Sequence, residues 1–278
     1  MANINNPLLS KVKLPGRVFQ LPSKGIFYPP GNVLATSVKD GEIQVKPMSA
    51  LAEMKIRSGD LLLSGKIIAE ICQECIPEIK IPEALCTRDI DALFLFLVAV
   101  TYGSERPIRS IHSCTNAKLH EYVINLDPIL MNPNNEVLSN LEALYSVDLP
   151  NGQKVKLKPV TFADSLHIVN LQQEMARKER NDVKPSQREV EQLMIDDLLA
   201  VIGAVQDNSG GELITVTDRK LIEEWARCLS RKQQEAIIAA AQKSSDWGFK
   251  FTATVKCKDC GEEYVHDLDL NPVNFFSG

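Results

Sequence analysis

Gly152-Gln153-Lys154-Val155-Lys156-Leu157-Lys158-Pro159-Val160-Thr161 has an earlier counterpart in Gly41-Glu42-Ile43-Gln44-Val45-Lys46-Pro47-Met48-Ser49. Each begins with Gly at a turn, alternates apolar with polar residues (Ile43 and Val45; Val155 and Leu157), then reaches Lys-Pro and a hydroxyl residue. Alternation predicts a half-buried strand, and Pro, which has no amide to donate, ends its ladder. Thr161 with Asp164 three residues on predicts a capped helix start. Each half then passes through helices and closes on another strand-like run. These are Glu121–Asp127 before Pro128, and Glu263–Asn271 before Pro272. The order of landmarks predicts two pseudo-repeated halves.

The helices between them are read from apolar stripes at three- and four-residue spacing. They are expected over Met48–Arg57, Gly65–Cys75, Asp89–Tyr102 and Ala163–Lys178. Ser186-Gln187-Arg188-Glu189 is a capping box opening a helix to about Val205, stopped by Asn208-Ser209-Gly210-Gly211. Thr217-Asp218 starts a helix holding Trp225, and Ser230-Arg231-Lys232-Gln233 starts another that ends near Gln242. The resulting expectation is α+β: mostly helical, with small antiparallel hairpins. The division expected is an N-terminal arm (1–31), a first half (32–131), an Asn-rich linker (132–150) and a second half (151–278).

Bulk properties narrow the function. The chain has 278 residues, 44% apolar and 24% charged, as an ordinary globular protein does. Its net charge of −5 and the lack of a basic stripe argue against nucleic acid as a partner. The N-terminus lacks the pattern of a secretory signal, and Ala92–Val100, with Asp91 before it, is too short for a membrane span. Seven cysteines in such a chain point to a reducing cytoplasm rather than a disulfide framework.

Leu21-Pro22-Ser23-Lys24-Gly25-Ile26-Phe27-Tyr28-Pro29 carries a resemblance, together with Pro47-Met48-Ser49 and with Asp89 ahead of the helix ending Thr101-Tyr102-Gly103-Ser104-Glu105. So do Asp246-Trp247-Gly248, Cys257-Lys258-Asp259-Cys260-Gly261-Glu262-Glu263-Tyr264 and Asn271-Pro272-Val273-Asn274-Phe275-Phe276. In this order they resemble the baseplate hub family of T-even-like bacteriophages. The resemblance implies a hub subunit or hub assembly protein, made in the host cytoplasm and acting in the baseplate of a contractile tail. It implies other hub proteins and tape-measure proteins as partners, leaves homo-oligomerisation open and transfers no catalytic residue. Ile26, Phe27 and Tyr28, before the stiff Pro29-Pro30, are the candidate interaction cluster. Such a cluster either docks on a partner or staples the arm to its own core.

Cys257-Lys258-Asp259-Cys260-Gly261 is the strongest chemical motif. Two thiolates three positions apart with a Gly turn form half of a tetrahedral zinc site, and the flanking strands suit a zinc-ribbon-like C-terminal hairpin. The other half is expected near Ile111–His120. There the chain departs from the resembled family, in which a second CxxC is common. Cys114 remains, Ala117 stands where its partner would be, and His120 or His112 could substitute. The expected ligands of a structural zinc are therefore Cys114, His120, Cys257 and Cys260. The competing expectation is two hairpins packed by apolar contact alone.

Other motifs point away from catalysis. Cys72 and Cys75 share a helix with Ile67, Ile68 and Ile71 and are expected in the core, as are Cys86 and Cys228. His167 is expected to pack, Asp196-Asp197 to face solvent, and Trp225 and Trp247 to anchor. No phosphate loop, nucleophile elbow or His-Glu-x-x-His helix occurs, so no enzyme is expected. The alternative function is a zinc-ribbon regulator contacting nucleic acid or polymerase. It needs a basic face near Lys256 and Lys258, which Asp259, Glu262 and Glu263 offset.

Overall fold

A computed structural model describes residues 15–57, 66–114, 118–208 and 212–268. The fold is α+β with small antiparallel sheets. It divides into two compact units, the first formed by residues 1–82, 91–133 and 249–278, the second by 83–90 and 134–248. The halves expected from the sequence break elsewhere. The closing hairpin belongs to the first unit, and residues 132–150 are part of the second.

In the first unit, β1 (Arg17–Gln20) pairs with β2 (Glu42–Val45), whose alternating residues Ile43 and Val45 are buried. Between them Leu21 and Ser23 are buried, and Gly25 takes a positive φ of 76° with its amide on Ser23 Oγ at 3.0 Å. Ile26 then faces outward while Phe27 and Tyr28 are half-buried. Two helices follow, α1 (Ala50–Arg57) and α2 (Lys66–Cys75). Ser49 caps α1 by accepting from the Ala52 amide at 3.2 Å. The expected start of α2 at Gly65 lies outside the described residues. Cys72 and Cys75 are buried as expected, and burial pushes the Cys75 thiol up to about 12.

Helix α3 (Thr87–Tyr102) is apolar almost all round, and its residues from Ala92 to Ala99 are buried, as a core helix requires. It begins at Thr87, so Asp89 lies in its first turn, where a carboxylate favours the helix dipole. Phe96 stacks on Phe19 at 4.4 Å and meets Phe249 edge-on at 5.7 Å. Two hairpins complete this unit. They are β3 (Glu105–Ile111) with β4 (Leu119–Asn125), which leads into α4 (Asp127–Met131), and the C-terminal β9 (Thr252–Lys256) with β10 (Glu263–Asp267).

In the second unit the stretch read as a linker is built structure: a 3-10 turn over Glu136–Asn140, helix α5 (Leu141–Leu144) and strand β5 (Ser146–Asp148). Asn140 caps α5, and Tyr145 and Leu149 are buried. With β6 (Lys154–Leu157), β7 (Ile202–Asp207) and β8 (Ile214–Val216), strand β5 forms an antiparallel sheet in the order β5-β6-β7-β8. Thr161 caps α6 (Phe162–Arg180), accepting from the Asp164 amide at 3.1 Å. The capping box at Ser186 opens α7 (Gln187–Val201).

Helix α7 stops at Val201 rather than near Val205. Gly203 and β-branched Ile202 and Val205 favour a strand, and β6 supplies its hydrogen-bond partner. Of the predicted stop signal, Ser209, Gly210 and Gly211 lie outside the described residues. Asp218 caps α8 (Arg219–Arg227), and Ser230 opens α9 (Arg231–Ser244). Trp247 is buried and donates from Nε1 to Tyr145 Oη at 2.9 Å; half-buried Trp225 donates to Gln153 Oε1 at 3.0 Å.

Two expectations fail here. Cys228 is exposed, because it follows the last turn of α8 instead of lying on its buried face. Asp196 is buried, not solvent-facing; it meets His167 Nε2 and Gln192 Nε2, each at 3.3 Å, while Asp197 is exposed. His167 itself is half-exposed.

Candidate metal centre

Both hairpins of the first unit end their outgoing strand one residue before a potential ligand. β3 stops at Ile111 and delivers His112 and Cys114; β9 stops at Lys256 and delivers Cys257 and Cys260. The ligand atoms of these four side chains all lie within 4.8 Å of one another. Cys260 Sγ is 3.3 Å from His112 Nδ1. Cys257 is buried, His112 and Cys114 are half-buried, and Cys260 is exposed.

The C-terminal turn is shaped for thiolates. The Cys257 amide donates to Glu262 O at 2.8 Å and the Gly261 amide to Cys257 O at 3.0 Å, with Gly261 at φ 80°. Backbone amides donate to sulfur: those of Cys260 and Asp259 to Cys257, and that of Glu262 to Cys260. The Cys260 amide, helped by Asp259, Cys260 and His112 against desolvation, brings the Cys257 thiol down to about 6. For Cys260 the Glu262 amide favours the thiolate, but desolvation and the neighbouring thiols of Cys257 and Cys114 outweigh it and leave the thiol raised. Thiols that oppose one another's ionisation are the expected state of a soft-metal site without its cation.

Three thiols and one imidazole match a closed Cys3His zinc site. With metal–sulfur bonds of about 2.3 Å, a tetrahedron holds its sulfurs about 3.8 Å apart, so the four groups would draw in by about 1 Å. Thiolates also suit copper(I) and iron–sulfur chemistry. A fourfold protein set leaves no open position at the ion, so the arrangement fits a structural clip rather than a catalyst.

His120, expected as the fourth ligand, is elsewhere. It sits within the β3–β4 ladder opposite Ser110, and its Nε2 meets Asp259 Oδ2 at 2.8 Å. A residue one step inside a strand cannot reach the turn where sulfur is gathered, whereas His112, just past the end of β3, can. The signal was available in the alternation of Leu119–Asn125, which places His120 in the strand. Ala117 lies outside the described residues.

The groups around the tetrad tie the turn to β4. His112 stacks on Tyr264 at 4.6 Å. Lys258 donates to Glu121 O at 2.7 Å with its cation 5.2 Å from the Tyr122 ring, and buried Ser110 meets His266 Nδ1 at 2.9 Å. His120 therefore holds the turn in place through Asp259 without being a ligand.

A family described as T4 bacteriophage base plate protein matches residues 34–277. The chain belongs to that family. No curated protein and no solved structure gives a match. A base plate protein works in contact with other base plate proteins, so this bacteriophage tail component carries the four-residue cluster in a setting of protein assembly. No helix among the described residues of this base plate protein is long and apolar enough to cross a membrane.

Proposed function

We propose that this protein is a structural or assembly component of the baseplate hub of a contractile tail. In this reading it is not an enzyme and acts through protein–protein contacts with hub and tape-measure proteins. It is made in the host cytoplasm and joins the tail there. The observation that carries the reading is the family match over residues 34–277. The surface supports it: Val123, Leu119 and Ile111 on the β3–β4 hairpin are each more than half exposed, and Ile26 of the N-terminal cluster faces outward.

Zinc in the His112, Cys114, Cys257 and Cys260 cluster is part of this proposal, with the two hairpins as the halves of a zinc ribbon. The strand-Pro stretches at Gly41 and Gly152, both glycines at positive φ, are read as traces of an internal duplication.

Mass spectrometry of purified particles tests the role. A hub subunit is present at constant copy number, and an assembly factor is absent from particles but binds a hub or tape-measure protein. Absence from particles together with no binding to either class of protein refutes the reading. Metal analysis of the purified chain tests the zinc, with one equivalent expected.

A further inference from the structure

Along the first unit runs a groove of about 650 Å³ whose walls are two strands, β4 and β9. Residues 121–125 line one wall and 252–256 the other, every residue in turn. A sheet face presents only alternate residues, so consecutive lining means that the groove follows strand edges. Each edge is the unpaired side of its hairpin. Order β3-β4 leaves one side of β4 free, and order β10-β9 leaves one side of β9 free. Among the described residues no backbone hydrogen bond joins the two strands.

The ladder phase identifies the groups that point into the groove. The Cys257 amide donates to Glu262 O and the Leu268 amide to Phe251 O. In an antiparallel pair bonded residues alternate with unbonded ones, so Val255 and Ala253 bond to β10 while Thr252, Thr254 and Lys256 point their N–H and C=O away from it. In the other hairpin the Leu126 amide donates to Ser104 O. Ile124 and Tyr122 therefore bond to β3, and Glu121, Val123 and Asn125 face the groove. Two observations agree with that phase. Pro107, which has no amide, stands opposite Val123 at an unbonded position, and Lys258 Nζ reaches Glu121 O from the groove side.

We infer that this groove receives an extended segment of another base plate protein, inserted as a strand between β4 and β9. The inference rests on the proposed role in protein assembly and names the mode of contact. Two facing rows of free donors and acceptors fit a strand better than any other occupant, since an inserted strand satisfies both at once. Pro128 and Ile129 at one end offer apolar contact. At the other, exposed Lys256 makes no ion pair among the described residues and suits an acidic side chain of the incoming segment. The source is another protein because every described strand of this chain already has a partner, so a second copy would have to unpair one to donate it.

Hydrogen–deuterium exchange on the full chain, free and in purified base plates, tests this without any variant. The amides of Glu121, Val123, Asn125, Thr252, Thr254 and Lys256 should exchange fast in the free monomer and at least about tenfold slower in base plates. Slow exchange already in the free monomer means that a segment of the same chain fills the groove, and slow exchange only on self-association means a second copy; either overturns the inference. Fast exchange in base plates that contain the protein overturns it and leaves the proposed role intact. Absence of the protein from base plates overturns the inference together with the structural-subunit role. As a second readout, Val123→Pro and Thr254→Pro each remove one outward amide and no ladder bond. Both should keep the wild-type circular dichroism and melting curve while incorporation falls about tenfold or more. Normal incorporation of both variants refutes strand insertion.

Discussion

Removing the metal, or its imidazole ligand by His112→Ala, should destabilise the folded chain by an amount that the fold itself sets. Cys114 and Cys257 are 143 positions apart in sequence, yet their sulfurs lie within 4.8 Å. An unfolded chain that gathered the same ligands would first have to close that loop, at a cost of about 5 kcal/mol by loop-closure arithmetic. The folded chain has already closed it through its strands and core. Metal therefore binds the folded state more tightly than the unfolded one by about that amount, and in excess metal the difference appears as stability. For a domain of this size it corresponds to a fall in Tm of about 10–20 °C on chelation.

The assay is differential scanning calorimetry with and without a chelator, alongside metal content for wild type, His112→Ala and His120→Ala. His120→Ala should keep its metal and lose only the bond to Asp259, about 0.5–1.5 kcal/mol. If chelation strips a bound ion and Tm moves by under about 2 °C, the loop argument is wrong. If His120→Ala empties the site while His112→Ala does not, the ligand assignment is wrong.

Three further outcomes follow from packing and charge. Phe96→Ala removes a fully buried ring that touches both Phe19 and Phe249, and should cost about 3–5 kcal/mol in urea unfolding; a cost under about 1 kcal/mol would contradict its place in the core. Burial opposes the Asp164 carboxylate, but Lys158, Thr161 and Arg219 outweigh it and hold the group below its ordinary 3.8. Its contribution is thus present above that value and lost as pH falls through the folded value. The stability gap between wild type and Asp164→Asn should narrow below about pH 4, and a gap unchanged down to pH 2 would refute the assignment. Ser186→Ala removes the cap on the Glu189 amide and should cost about 0.5–2 kcal/mol by thermal melting, with no change in metal content.

What was legible in the sequence was local. Caps at Ser49, Thr161, Ser186 and Asp218, the alternation of β2 and β6, and the apolar run of α3 each speak through residues a few positions apart. The CxxC knuckle was legible for the same reason. What escaped depended on distant partners. The helix from Ser186 was read through to Val205 because nothing nearby shows that β6 waits to pair with residues 202–207. Residues 132–150 looked like a linker because Asn and Ser dominate, whereas Asn134 pairs with Gly248, more than a hundred positions away. The choice between His112 and His120 turned on a strand boundary, and one residue of boundary moves a side chain from the turn into the ladder.

The first unit explains why a metal would matter most to the last thirty residues. They join a body whose other parts, residues 1–82 and 91–133, come from the far end of the chain. Two attachments hold them in place: Phe249 against Phe96 at their start, and the Cys257–Cys260 turn against His112 and Cys114 beyond β9. Loss of the ion removes the second and spares the first. The remaining hold on the turn is Lys258 on Glu121 O and Tyr122, and His120 on Asp259, contacts on partly exposed groups worth about 1 kcal/mol each. Opening should therefore be local. On chelation, exchange should accelerate at the Cys257 and Gly261 amides and along β9–β10, while the amides of α3 keep their protection until the whole unit unfolds. Equal acceleration in α3 would mean that Phe249 does not anchor the segment independently, and that the core and the clip are a single cooperative structure.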